Sequence, residues 1–501
     1  MTTTTTRPAF RSAQSRALAW LARERLTVFA VAVYGCLYLV LLSFTLNQDG
    51  WLALATGRQI AQHGLPSADT LMAYTTGVRW VDQQWLAQLA IYGAQQLGGL
   101  RTLALLHVAL ALFGVSVAVV TARRGGASPL AVVAVALPAF VPISFVAEQI
   151  RTQIFGVVMF ALVVSLLIRD ARSRSARVWW TLPLVALWSN LHGSVALGAG
   201  LVALRGLTIA VPAIRSRGRD RRVGVARGFG LAAGATVAVF ASPYGPHMLE
   251  YYRHTALNPA FGKLVAEWMP ATPSASTATF YLLAFLGVWS FGRRRSALTS
   301  YEWLVLLVTG LSTMSTVRSA GWFAMAALMT LPVALTPSLP APKRPAGLSQ
   351  IPIASVPLAI LVALGVSAAG RSDEWFQQHY PAALDNAVGR AIASAPGARV
   401  FADVRYSDWL LWRRPELAGR LAFDARYELL TASQLQTLHR FNHQVGDNWR
   451  AAARGYRIIV VDRRLDQASD GLAPTYLQLL KGPGSKLVYL SKDSAVILNP
   501  A

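Results

Sequence analysis

The sequence predicts a polytopic α-helical membrane protein with about eleven transmembrane helices and a small C-terminal α/β extracytoplasmic domain. Composition is the first reason. Of 501 residues, 54% are hydrophobic and only 14% charged, with a mean hydropathy of +0.41. A soluble chain carries about 25% charge, so this one cannot clothe a water-facing surface along its whole length. The second is a succession of apolar runs of membrane-crossing length that ends near residue 369. The third is a change beyond it to ordinary charge and short β-like runs. A free cytosolic enzyme and a disordered scaffold are thereby excluded. The lone cysteine, Cys36, excludes an internal disulfide framework and a CxxC metal site.

The expected spans lie near Thr27–Leu46, Thr102–Thr121, Pro129–Val146, Ile154–Ile168, Val178–Ser189, Gly193–Pro212, Gly228–Ala241, Ser276–Phe291, Trp303–Met314, Ser319–Leu335 and Ile351–Ala369. The first follows a basic tail, residues 1–26, that opens on a threonine run and carries five arginines. It lacks an A-x-A-like cleavage site and reads as an uncleaved signal anchor. Residues 27–370 then form the membrane module, with a Pro/Ala-rich connector at 336–350.

Charge orients this layout. With the N-terminus cytoplasmic, the inside segments hold 22 of the 47 Lys+Arg but 4 of the 23 Asp+Glu. That is the positive-inside pattern. The formal net charge of +24 is therefore an orientation signal and an attraction to anionic membrane lipid, not a nucleic-acid footprint. An odd number of spans puts the C-terminus outside.

Two outer segments, 47–101 and 242–275, are too long for simple connections. In the first, Trp51–Ile60 and Trp85–Leu97 read as interfacial helices, with Trp51, Trp80 and Trp85 as anchors. The second gathers Tyr244, Tyr251, Tyr252, Trp268, His247 and His254. The tail, 371–501, is long enough for a core of its own. Strands are expected at Arg399–Val404, Arg420–Phe423 and Arg457–Val461, and a closing hairpin at Lys486–Leu490 and Ala495–Leu498.

Several polar residues lie where the chain leaves the membrane. Asp49 follows the first span, where a carboxylate is costly unless exposed or paired. It reads either as the N-cap of the following helix or as a general base in a membrane-exit cleft. Asp69, Asp82 and Glu267 are alternative carboxylates, each also explained by turn, cap or helix-end duty. Arg151 and Arg318 stand at outer span ends and either bind phosphate or snorkel to headgroups. His192 sits in a tight outer turn beside Asn190 and Gly193, where it serves a ligand or only the turn. In the tail, Asp403, Asp408, Asp424 and Arg426 mark either a sugar cleft or a docking surface.

The first outer segment, Asp49-Gly-Trp51 through Gly57-Arg58-Gln-Ile60, His63-Gly64-Leu-Pro66 to Asp69, and Trp80 to Trp85-Leu86, resembles that of bacterial GT-C type membrane glycosyltransferases. Trp188-Ser-Asn190-Leu-His192-Gly193, Ser242-Pro243-Tyr244-Gly245, Glu267-Trp268 and Arg318 with Phe323 extend the likeness. So do Phe401-Ala-Asp403, Tyr406-Ser-Asp408 and Phe423-Asp424-Ala-Arg426. Two departures stand out: Trp51-Leu52-Ala53 lacks the histidine of a Trp-His-Leu pattern, and Arg151-Thr152-Gln153 lacks a proline after the arginine.

The resemblance implies transfer of a sugar from a polyprenyl-phosphate-linked donor to an extracytoplasmic acceptor at a bacterial plasma membrane. Asp49 would be the base, with Asp69 and Glu267 as further catalytic candidates. Arg318, Arg151, His192, Arg58, Trp51, His254 and Tyr244 are the candidate substrate-binding residues. The leaving phosphate would be met by arginine or by a divalent cation; no metal ligand can be assigned. Expected partners are the lipid-linked donor and membrane lipid, with no nucleic acid. A transporter would place paired charges mid-span and show an internal repeat, and neither is seen. A non-catalytic envelope-assembly protein and a polysaccharide polymerase or ligase stay open.

Overall fold

A computed structural model describes residues 7–255, 257–258, 260–339, 351–467 and 473–500. The threonine run and residues 340–350 of the Pro/Ala-rich connector lie outside the described residues. The chain begins with α1 (Arg7–Val40), α2 (Gln48–His63), α3 (Trp85–Arg124), α4 (Pro129–Ala147) and α5 (Gln153–Arg172). The short α6 (Thr181–Trp188) leads to the hairpin of α7 (Val195–Ile214) and α8 (Gly218–Val239). Two short helices, α9 (Met248–His254) and α10 (Phe261–Leu264), precede α11 (Ala278–Arg294), α12 (Ser300–Ser315), α13 (Ala320–Leu335) and α14 (Pro352–Ala369).

A helix at least partly occupies each expected span. Among the described residues, six stretches have both the length and the apolarity to cross a membrane: Trp85–Arg124, Pro129–Ala147, Gln153–Arg172, Val195–Ile214, Val317–Ser338 and Pro352–Ala369. The span expected at Val178–Ser189 is reduced to the eight residues of α6 after a 3-10 turn, about 12 Å of helix. The chain is a multi-pass helical membrane protein.

Helix α13 is apolar on every side and is buried almost throughout, packed by α3, α4, α11 and α12. In α3, Gly98 and Gly99 break the helix, separating the interfacial part from the span as the sequence suggested. Gly99 takes φ +76°, open to glycine without strain. The next amide, that of Leu100, donates to Asp373 Oδ1 at 2.9 Å. At the end of the bundle away from the C-terminal segment, ion pairs fasten helix to helix. The buried Asp170 carboxylate accepts from Arg205 at 3.0 Å and Arg227 at 2.5 Å, which accounts for an arginine inside α7. Glu302, also buried, accepts from Arg172 at 2.5 Å.

The C-terminal segment adds α15 (Asp373–Phe376), α16 (Ala382–Ser394), β1 (Val400–Ala402), α17 (Val404–Arg413), α18 (Ala432–His443), β2 (Ile458–Asp462), α19 (Arg463–Gln467), α20 (Thr475–Leu480), β3 (Lys486–Leu490) and β4 (Ser494–Leu498). The sheet order is β1-β2-β4-β3, parallel between β1 and β2 and antiparallel elsewhere. Residues 420–423, expected as a strand, pair only through isolated bridges at Leu421, to Val400 on one side and Met72 on the other. The amides of Ala73 and Tyr74 donate to the carbonyls of Leu421 and Ala422 at 2.7 and 3.0 Å. The first loop thus covers the β1 side of the sheet, which would otherwise present unpaired backbone.

Trp51 and Trp80, expected as interfacial anchors, are instead buried inside protein at 0% and 2% exposure. Trp51 meets Tyr380 edge-on at 5.5 Å, and Trp80 lies 4.1 Å beneath the Arg426 guanidinium. A folded C-terminal segment offers them more contact than the lipid interface does.

Candidate active site

The loop ends of the bundle and the C-terminal segment enclose a cavity of about 300 Å³. Asp49, Arg151, His192, Glu267 and Arg318 line it, together with Gln83, Gln84 and Tyr251 and with Arg426, Tyr427 and Glu428 of the C-terminal segment.

Asp49 sits in the first turn of α2, but the cap of that helix is Asn47, whose side chain accepts from Gly50 N–H. The capping duty considered for Asp49 therefore belongs to its neighbour, leaving the Asp49 carboxylate to the cavity at the positive end of the helix dipole. Arg151 lies in the connection from α4 to α5, pinned by the Ile150 amide donating to Thr45 O at 2.8 Å. Its Nε is 2.8 Å from Asp49 Oδ2, close but poorly aligned for a hydrogen bond, and its Nη1 donates to Glu267 Oε1 at 2.8 Å.

Glu267 and Arg318 come from different segments joined by Val317 N–H donating to Met269 O at 2.9 Å. Arg318 Nη1 stands 3.5 Å from Glu267 Oε2, and its guanidinium lies 5.5 Å from the Trp268 ring centroid. Glu267 therefore spans two arginines. Burial pushes its carboxyl up, but Arg318 and Arg151 together hold it below its ordinary value. Burial alone would lower Arg151, and Asp49 and Glu267 more than reverse this. Arg151 stays charged.

His192 is held in its turn by its backbone amide donating to Trp188 O. Asn190 knots the same turn, accepting from Trp85 Nε1 at 2.9 Å and donating to Ala241 O at 2.8 Å. A Cβ at Gly193 would lie 2.5 Å from the Tyr251 hydroxyl, so a larger residue there would displace that ring. Burial, with Arg318 and Arg151 adding to it, depresses the His192 imidazole to about 3. Nδ1 accepts from Ser194 N–H at 3.1 Å, so the neutral ring carries its proton on Nε2. The His192 resonance should accordingly not titrate between pH 5 and 8 in NMR of selectively labelled protein. A midpoint near 6.5 would mean that the imidazole is solvated and the cavity open around it.

The other expected residues lie elsewhere. Asp69 is fully buried, accepting from Thr75 Oγ1 at 2.5 Å, Leu71 N–H at 3.0 Å and Arg426 Nη2 at 2.9 Å. Arg58 clamps the C-terminal segment, donating to the carbonyls of Trp412 and Leu411 at 2.9 Å each. Tyr244 donates to Pro66 O at 3.0 Å. Trp51 is packed under Tyr380, and His254 lies outside the lining. Asp82 is buried behind the lining, with Oδ1 accepting from Gln88 at 3.0 Å. Burial pushes its carboxyl up to about 7.

Sequence reasoning missed Gln83, Gln84, Tyr427 and Glu428 as cavity residues. The first two stand inside the quoted Trp80–Trp85 stretch, and the last two directly follow Arg426. Among the described residues, no group of three or more His, Cys, Asp or Glu could hold a metal ion. The cavity's Asp49 and Glu267 are both engaged by Arg151. That donor set does not fit a divalent cation.

Helices threading a bundle, large loops on one end and an α/β segment closing over them define a GT-C-like fold, that of polytopic membrane glycosyltransferases. The Archaeoglobus fulgidus oligosaccharyltransferase in its apo form is similar, at 12% identity and a TM-score of 0.50, over 88% of this chain and 70% of that one. ArnT from Cupriavidus metallidurans is 12% identical in the apo state, with a TM-score of 0.47 over 93% and 97% of the two chains. The same protein bound to undecaprenyl phosphate gives 14% and 0.43 over 94% and 98%. No protein-family model and no curated protein sequence matches the chain.

Proposed function

We propose that this protein transfers a sugar from a polyprenyl-phosphate-linked donor to a hydroxyl-bearing acceptor at the outer face of a bacterial plasma membrane. The observation that carries the reading is the meeting of Asp49, Arg151, Glu267 and Arg318 in one cavity where the bundle adjoins the C-terminal segment. Nucleotide sugars are cytosolic, so a site on the outer face draws on a donor that has crossed as a lipid phosphate. The basic loop pattern supports a cytoplasmic N-terminus and a cytoplasmic arginine-rich bundle end. Residues 1–26 then form a cytoplasmic tail, 27–370 the membrane module and 371–501 an extracytoplasmic domain.

In this reading Asp49 takes the acceptor proton as the acceptor oxygen attacks the sugar carbon and the lipid phosphate departs with the bonding pair. A single displacement inverts that carbon. Arg151 and Arg318 meet the departing phosphate, and Glu267 holds the two guanidinium groups at one place before it arrives. Phosphate binding draws Arg151 towards the ligand and loosens its hold on Asp49, so the donor readies the base. Charge placed in advance where it will develop in the transition state is the strongest means such a site has.

The test is the envelope glycan and lipid-linked sugar profile of a deletion strain, with and without the wild-type protein restored. A missing sugar together with an accumulating donor lipid, both corrected by the wild type, is the expected result. An unchanged profile would sink the transferase reading in favour of a non-catalytic role in envelope assembly.

A further inference from the structure

The carboxyls lining the cavity are not equivalent. Asp49 and Glu267 are held by arginines. Glu428 lines the same space, yet among the described residues no side chain gives it a hydrogen bond or an ion pair closer than 4 Å. Two residues before it, Arg426 holds Asp424 and Asp69 through Nη2 at 2.5 and 2.9 Å and acts on Glu428 only through space, without an ion pair. Glu428 is half-buried and lines a cavity in which a ligand or water can donate to its carboxyl.

Position says which part of a ligand that is. Glu428 sits in a 3-10 turn packed against α9, which carries Tyr251. Arg318 acts electrostatically on both Glu428 and Tyr251, and Gln83 and Thr255 line the cavity with them. A carboxyl without a paired cation, a phenol and a primary amide thus line the same cavity as the arginine assigned to phosphate. They form a set that accepts from and donates to hydroxyl groups. The Trp268 ring centroid lies 5.5 Å from the Arg318 guanidinium.

Resting on the donor reading above, we infer that Glu428 is the specificity residue for the transferred sugar, accepting hydrogen bonds from ring hydroxyls next to the phosphate held by Arg318. The membrane module then supplies base and phosphate clamp, and the C-terminal segment chooses the sugar. A hydroxyl ligand suits this carboxyl because burial has already pushed it up to about 7. Hydrogen bonds from the ligand restore solvation that the cavity removed.

The experiment compares two probes on the full-length protein in nanodiscs, read by intrinsic tryptophan fluorescence. One is undecaprenyl phosphate; the other is the sugar-bearing lipid that accumulates in the deletion strain. Wild type should bind the sugar-bearing lipid about ten- to a hundredfold more tightly, the range that a hydrogen bond to a charged group supplies. E428A should lose that preference while binding undecaprenyl phosphate as the wild type does, which also shows that the variant is folded. E428Q keeps one acceptor oxygen and should be intermediate; it carries the comparison if E428A no longer binds the bare lipid. Retention of the full preference by E428A would overturn the inference, as would a wild type that shows no preference. A wild type that binds neither lipid, or a strain in which no such lipid accumulates, would instead overturn the donor reading beneath it.

Discussion

Replacing Asp49 by asparagine should cut sugar transfer by at least about a hundredfold and leave the fold intact, because proton abstraction by a positioned carboxylate contributes roughly 10²–10⁴-fold. The substitution preserves size and one acceptor oxygen. The N-cap of α2 is Asn47, not Asp49, so the helix keeps its start. Asp49 is one-third exposed, and losing a partly solvated ion contact changes stability little. Arg151 retains Glu267 as a partner at 2.8 Å, so the phosphate clamp stays in place. The measurement is turnover in reconstituted vesicles beside the thermal midpoint of the same preparation. In cells, the donor lipid should accumulate as it does in the deletion strain. Restoration of the glycan to wild-type level by D49N would remove Asp49 from the chemistry and leave it as an electrostatic partner of Arg151. The base would then be sought at Glu267, which lines the cavity, before the buried Asp69 or Asp82.

What the sequence could and could not disclose follows from the range of the interactions involved. Hydropathy acts over one turn or one span, so helices α4, α5, α7, α13 and α14 were legible, as was the break in α3 between an interfacial and a spanning part. Asp49, Arg151, Glu267 and Arg318 could be singled out because a charge at a span end needs an explanation wherever it points. Their convergence could not be read: Arg151 and Glu267 are 116 positions apart, and only the fold joins them. Asn47 took the capping role because the helix starts at Gln48, two residues earlier than Gly50–Trp51 suggested, a boundary that local pattern does not fix. Trp51 and Trp80 carried an ambiguous signal, since an aromatic at a membrane interface and one in a protein core share a composition. Glu428 was invisible for another reason. What distinguishes it is a missing partner, and the lack of a partner is a property of the folded surroundings alone.

A still greater distance in sequence separates the parts of the lock that closes the cavity, and breaking it should have the largest effect on stability. Arg426 is almost wholly buried and holds Asp424 at 2.5 Å and Asp69 at 2.9 Å, the second across 357 positions, while its guanidinium lies 4.1 Å from the Trp80 ring centroid. Asp69 and Asp424 are 0% and 4% exposed. Arg426→Met leaves two buried carboxylates without their cation, a loss of about 3–5 kcal/mol for a broken buried pair. The opening should be local: the contacts of residues 71–74 with 419–422 separate while the bundle keeps its helices. Hydrogen exchange at the Ala73 and Tyr74 amides, which donate to Leu421 and Ala422, should therefore accelerate on the order of a hundred- to a thousandfold, with helix α13 unchanged. Combining it with Asp69→Asn and Asp424→Asn removes the orphaned charges and should recover much of the protection, since the penalty belongs to unpaired charge rather than to lost contact area. If Arg426→Met alone left the exchange of these amides at the wild-type rate, the two segments would be held by backbone pairing and packing without the ion bridge. Arg426 would then be left with its place in the cavity wall as its remaining role.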